Sequence, residues 1–225
     1  MSVKRFSKGE AIRFGWETTK SNLGFFIGLL LIVFIIAAFF SGFGSLFEES
    51  LPFLSLIFNL GSLVFNLIIS IGFIKVALKF YDGKKGEFGD FFTFTGSLLL
   101  TFFAGSLLFG LIIVLGYILL IIPGIILMIK LQFFNYFIVD KDMGPIEALQ
   151  ASWGITKGVK WELFLFMLLL GLLNIAGFLL FIVGLFISIP ITILATAYVY
   201  RKLSTDAGSI DFSEPQDSRN IIKEF

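Results

Sequence analysis

The sequence predicts an all-α integral membrane protein with six transmembrane helices and amphipathic helices lying at the membrane surface. Three observations predict it. The chain is 57% hydrophobic and 17% aromatic, with only 15% charged residues and a mean hydropathy of +0.98, whereas soluble domains carry about 25% charged residues. Its uncharged runs are long enough to cross a bilayer once or twice. Its Lys and Arg residues gather on one side of the crossings those runs allow.

A crossing needs about 20 apolar residues at 1.5 Å rise through a hydrocarbon core of about 30 Å. Some twenty polar or amphipathic residues precede the first apolar run, which is itself a full crossing in length, and no small-residue cleavage site follows. The N-terminus is therefore not expected to be a cleavable signal peptide. Leu23 to Phe43 gives the first span, and GSLFEESLP (44–52) interrupts it. Phe53 to Leu78 gives a second, somewhat long and so expected to tilt. The polar run YDGKKGEFGD (81–90) follows.

Between Phe91 and Ile138 the only charge is Lys130. As one helix this stretch would run roughly 70 Å, too long for one crossing. Pro123-Gly124 is the expected break, because Pro is costly in a helix interior and Gly permits the turn. This gives a third span near 97–121 and a shorter fourth near 125–139. Leu163 to Tyr200 is also uncharged and too long, and Gly177 and Gly184 bracket its expected turn. The last two spans fall near 162–176 and 183–201.

Charge placement tests the count independently. With the N-terminus in the cytoplasm, the three outer connections contain no Lys or Arg, while Glu48 and Glu49 lie in the first. Every basic residue other than Lys130 falls in or beside a cytoplasmic segment. That is the positive-inside pattern. Both termini are expected in the cytoplasm, with the protein multi-pass in the inner or plasma membrane. Residues 1–203 form one transmembrane domain, and 204–225 a polar cytoplasmic tail expected to be disordered, too short and polar to fold alone.

The chain repeats itself. EAIRFGWETTK (10–20) and EALQASWGITK (147–157), 137 residues apart, share Glu10/Glu147, Ala11/Ala148, Trp16/Trp153, Thr19/Thr156 and Lys20/Lys157. Ser7-Lys8-Gly9-Glu10 reads as a capping box. In the second copy the same frame puts Gly144 at the N-cap, Pro145 at the first helical position and Glu147 two residues later. Interfacial helices are expected at about 7–20 and 145–157, with Trp16 and Trp153 as their anchors at the cytoplasmic membrane surface. Each copy precedes a two-span hairpin, so spans 1–2 and 5–6 are expected to form a parallel internal repeat. GEFGDFF (86–92), before the middle hairpin, is a fainter third candidate.

LIIPGIILMIKLQFF (120–134), PIEALQASWGITKG (145–158) and ISIPITILATAYVYRKL (187–203) resemble a prokaryotic group of multi-helix membrane proteins. That group is related to the membrane domain of glycerophosphoryl diester phosphodiesterases and to YciC-type inner-membrane proteins. The similarity covers most of 6–203, although the A-x-x-S-W motif carries one extra residue here, Ala148 to Trp153. The resemblance implies a multi-helix membrane module, fused in some relatives to a soluble phosphodiesterase domain. It implies no agreed activity.

Few residues suggest chemistry. The chain has no histidine and no cysteine, which removes the commonest general base, metal ligand and thiol nucleophile. No zinc-ligand set, Ser-His pairing, phosphate-cradling loop or facing carboxylates can be assembled. The expectation is a non-enzymatic protein without cofactor, metal or nucleic acid, whose partners are membrane lipids with anionic headgroups. Lys130 is the one charge well inside a predicted span, which makes it a suspect for a substrate path. Lysine stems also snorkel about two turns to an interface. Ser55, Asn59, Ser62, Asn66 and Ser70 form one polar stripe along the second span. Such a stripe serves either as interhelical glue or as the wall of a path. Two main readings follow: a scaffold or envelope and lipid-homeostasis protein, and a small transporter or channel along Asn59/Asn66. A lipid-modifying enzyme, or an enzyme anchor, comes third.

Overall fold

In the computed structural model the described residues are 6–180 and 183–207. They form nine α-helices and one 3-10 turn, with no strand among them. The order is α1 (Lys8–Ser21), α2 (Leu23–Leu46), α3 (Pro52–Tyr81), the 3-10 turn (Phe88–Phe91), α4 (Gly96–Leu119), α5 (Ile121–Leu131), α6 (Phe134–Lys141), α7 (Pro145–Ile155), α8 (Lys160–Leu179) and α9 (Leu185–Ala207). The expected disordered tail lies almost entirely outside the described residues.

Five stretches are long and apolar enough to cross a membrane: α2, α3, α4, Ile121–Lys141 and α8. That is the mark of a multi-pass membrane protein. α9 is not among the five. Ser188, Pro190, Thr192 and Thr196 dilute it, and Arg201-Lys202 fall within its last two turns.

Helix ends follow local chemistry. Ser7 caps α1, its Oγ accepting from the Glu10 amide at 3.2 Å. Glu147 at the start of α7 accepts from the Gly144 amide at 3.2 Å, and Pro145 occupies the position that needs no donor. Gly158, at φ +87, turns the chain from α7 into α8.

Two breaks differ from expectation. The bend between α4 and α5 is at Leu120, whose backbone is extended (φ −166, ψ 149), not at Pro123-Gly124. Pro123 sits inside the first turn of α5, where its missing N–H costs nothing. Gly124 serves close packing instead. A Cβ there would stand 2.7 Å from Tyr117 Cδ1, and one on Gly116 would stand 3.0 Å from Gly124 Cα. The fourth predicted span is also interrupted at Gln132-Phe133, between α5 and α6.

The helices pack as three successive units, each a short leading element followed by a hairpin: α1 with α2–α3, the 3-10 turn with α4 and α5–α6, and α7 with α8–α9. Each leading element lies on the returning arm of another unit. α7 packs on α5 and α6, the 3-10 turn on α3, and α1 on α9, which closes a ring. The outgoing helices follow the same order, α4 against α3, α8 against α5 and α2 against α9.

The core occupies one end of this ring, the end that carries the described Lys and Arg residues. Phe26, Ile71, Phe102, Phe133, Phe166 and Tyr200 are all at most 4% exposed. The hairpin tips expose Leu46, Phe53, Ile121 and Leu179, each about 70% or more. Each tip is held mainly within its own hairpin. Ser55 Oγ donates to the Gly44 carbonyl at 2.9 Å, Gly116 meets Gly124, and Gly177 lies directly against the Gly184 backbone. The GxxxG at Gly24 and Gly28 builds no close crossing: nothing stands near a Cβ at Gly24, and only Phe88 approaches Gly28.

Candidate functional site

The polar stripe of α3 divides in two. Ser55 is buried against α2, and Asn59 Nδ2 donates to Ser55 Oγ at 3.3 Å. Further along, Asn66 donates to the Ser62 carbonyl at 2.8 Å and Ser70 to the Asn66 carbonyl at 2.8 Å. Asn66 and Ser70 are exposed and spend these bonds on their own helix. A second polar cluster, in the third hairpin, is fully paired between helices. Asn174 donates to Thr192 Oγ1 at 2.8 Å and accepts from Ser188 at 2.9 Å. Interhelical bonds of this kind fasten helices in lipid.

Lys130 reaches the core end. Its Nζ stands 3.5 Å from the centre of the Trp153 ring on α7, a cation–π contact. Its backbone explains the break in the fourth span. Ser152 Oγ donates to the Lys130 carbonyl at 2.9 Å and accepts from the Phe133 amide at 3.0 Å. Thr156 Oγ1 stands 3.1 Å from the same carbonyl and shares its one proton between it and the Ser152 and Trp153 carbonyls at 2.9 and 3.0 Å. Side chains of α7 thus take up ladder groups of α5 and α6, a recognised cause of helix breaks.

The repeated motif buries a ridge that its Trp residues do not mark. On α1 the buried residues are Ala11, Gly15 and Thr19. On α7, Ala148, Ser152 and Thr156 hold the same positions and are all 0% exposed. Small residues four apart let each helix lie on its neighbour's backbone: a Cβ on Gly15 would stand 2.7 Å from the Ile191 carbonyl, one residue past Pro190. Trp16 remains 49% exposed, while Trp153 is half-buried under Lys130. The third candidate copy also caps itself, Asp90 accepting from the Glu87 amide at 2.8 Å. It docks on α3 through Phe91 over Gly72 and an ion pair from Lys79 to Asp90.

The three returning arms meet at a charged node that sequence reasoning did not single out. Arg201 on α9 donates from one nitrogen to Asp140 on α6 and from another to Asp82 after α3, each at 2.8 Å. Tyr200 OH also donates to Asp140, at 2.9 Å. The Asp140 and Arg201 side chains are only 11% and 17% exposed. A planar guanidinium suits this two-carboxylate grip. Nearby, Phe14, Tyr81 and Tyr198 join α1, α3 and α9 through ring contacts of 5.5 to 5.8 Å, and Tyr198 OH donates to Glu10 at 3.1 Å.

The sequence model of a domain of unknown function, DUF7847, matches residues 54–216. The chain belongs to this family. The DUF7847 match includes Lys130, Ser152 and all three node residues, while α1 and α2 precede it. No curated protein and no solved structure matches the chain.

Proposed function

We propose that this DUF7847 protein is a non-enzymatic, six-span scaffold of the cell membrane, acting in envelope or lipid homeostasis, with both termini in the cytoplasm. One observation carries the reading. Side-chain burial and basic charge coincide at one end of the ring, while the hairpin tips, free of Lys and Arg, turn bare apolar faces outward. A cytoplasmic core end agrees with positive-inside placement. Exposed aliphatic and aromatic tips are stable only in lipid. On this reading α9 is the sixth span, enclosed by the others, and its polar residues are tolerated because they pair with Asn174. The ridge shared by α1 and α7 supports an internal repeat of the first and third units, and the cyclic packing extends it to the middle one. The relation to the phosphodiesterase membrane-domain group is then one of architecture.

The transport reading has one observation in its favour, the exposure of Asn66 and Ser70 on the upper stripe. Its lower half, however, closes a helix contact. Thiol labelling and vesicle flux test the proposal together. Cysteines at Ser50, Lys84 and Thr205, all exposed, report sidedness: only Ser50→Cys should react with an impermeant reagent from outside. Vesicles containing the protein should retain small solutes as protein-free vesicles do. Outside labelling of Lys84→Cys overturns the topology, and a flux abolished by Asn66→Leu overturns the scaffold.

A further inference from the structure

A cleft of about 290 Å³ runs between α5 and α8, lined by Met128 and Ile129 on one side and by Phe164, Met167, Gly171 and Ile175, among others, on the facing helix. No polar side chain lines it. From Phe164 to Ile175 it follows α8 for about 16 Å at 1.5 Å per residue. It is open sideways, since Leu168 and Leu172 on its wall stay 52% and 55% exposed. One mouth is basic and aromatic. Lys160 lies one turn before Phe164 on the same face of α8, and Trp161, 72% exposed, makes an edge contact with Phe164 at 6.1 Å. Lys130 follows Ile129 at that end, its Nζ directed to Trp153. Glu162, the nearby carboxylate, lies on the opposite face, one turn before Phe166. Phe166 packs on Phe6 at 5.7 Å.

We propose that this cleft seats one acyl chain of an anionic phospholipid of the cytoplasmic leaflet, with the phosphate at Lys160 and the start of α8. Charge and shape favour a lipid over another helix. The walls hold no polar side chain to hydrogen-bond a partner helix in the membrane. The positive charge sits at one end only, where the first free amides of α8 also favour a phosphate. Trp161 marks the depth at which headgroups lie.

The inference rests on the cytoplasmic placement of the core end. Micelles have no sides, so a lipid titration in them stands or falls independently of the labelling experiment. Purified protein in micelles would be titrated with phosphatidylglycerol and with phosphatidylcholine, reading bound lipid by native mass spectrometry and the thermal midpoint. Phosphatidylglycerol should bind more tightly and raise the midpoint. Lys160→Gln should cut its preference about five-fold, the effect of one lysine at a lipid surface. Gly171→Leu should remove the bound lipid. No heavy atom stands within 4 Å of a Cβ at Gly171, so the new side chain leaves the backbone without a clash, and an unchanged lipid-free midpoint shows that the fold persists. Equal binding of the two lipids, lipid retained by Gly171→Leu, or a dimer dissolved by it would each overturn the assignment.

Discussion

The Ser152 hydroxyl bridges the broken ladder beside Lys130, donating to the Lys130 carbonyl at 2.9 Å while accepting from the Phe133 amide at 3.0 Å. Ser152 is 0% exposed, so no water replaces it. Ser152→Ala strands a buried amide and removes the closer of the two hydroxyls at the carbonyl. The expected cost is about 1–3 kcal/mol, seen as a lower thermal midpoint in detergent. A variant as stable as the wild type would mean that α5 and α6 can rejoin as one helix.

Arg201 should be the least replaceable basic residue. Arg201→Ala leaves the buried Asp140 with only the half-exposed Lys141 ammonium at 3.7 Å and the Tyr200 hydroxyl, and losing the main partner of a buried pair costs up to about 3–5 kcal/mol. Arg201→Lys should restore only part of the loss, because a point charge cannot hold two carboxylates at 2.8 Å as a fork does. The double variant Asp82→Asn, Asp140→Asn should soften the effect of Arg201→Ala. Midpoints compared across this series check the node.

Glycines should sort by contact and not by motif. A Cβ on Gly177 would meet Ser188 Oγ at 2.5 Å and the Gly184 carbonyl at 3.0 Å, so Gly177→Ala should destabilise by about 1–3 kcal/mol. Gly24, within the recognisable GxxxG, has open space at its Cβ. Gly24→Ala should be neutral or stabilising by up to about 1 kcal/mol. Equal effects at both positions would contradict the packing.

The two halves of the α3 stripe should respond differently. Ser55→Ala removes a bond between α2 and α3, worth about 0.6–1.7 kcal/mol in a membrane. Asn66→Leu disturbs only bonds within α3 and should leave the midpoint unchanged or raised. Scanning calorimetry of both variants tests this.

Fold and site were unequally legible in the sequence. The six helical stretches expected to span were visible as apolar runs with at most one charge each, and observed ends such as Leu23 to Leu46 fall close to the predicted ones. The starts of α1 and α7 were visible in Ser7, Pro145 and Glu147. The Pro123-Gly124 break was misplaced by three residues, because Pro is acceptable in a first turn and the extended Leu120 carries no local signal. Asp82 drew notice only as part of a polar run, Asp140 drew none, and Arg201 counted only as one basic residue of the cytoplasmic side. Their spacings of 58 and 61 residues have no period that would reveal a meeting point. The buried ridge of Ala148, Ser152 and Thr156 did have a signal, since its Ala and Thr are among the positions the repeat preserves.

Length, composition and charge placement therefore determined by themselves that this chain makes membrane-length helices joined as hairpins, with the basic residues among those described at one end. Such helices must satisfy their backbone internally, so their extent is a local property. Which face of each helix is buried, where the fourth span breaks and which charges meet were decided only by the tertiary structure. In a soluble helix the apolar stripe marks the inner face. Here the face turned to lipid is as apolar as the face turned to protein, and periodicity carries no such mark. What remains to select the contacts is close fit and a few paired polar groups, which exist only once the hairpins have come together.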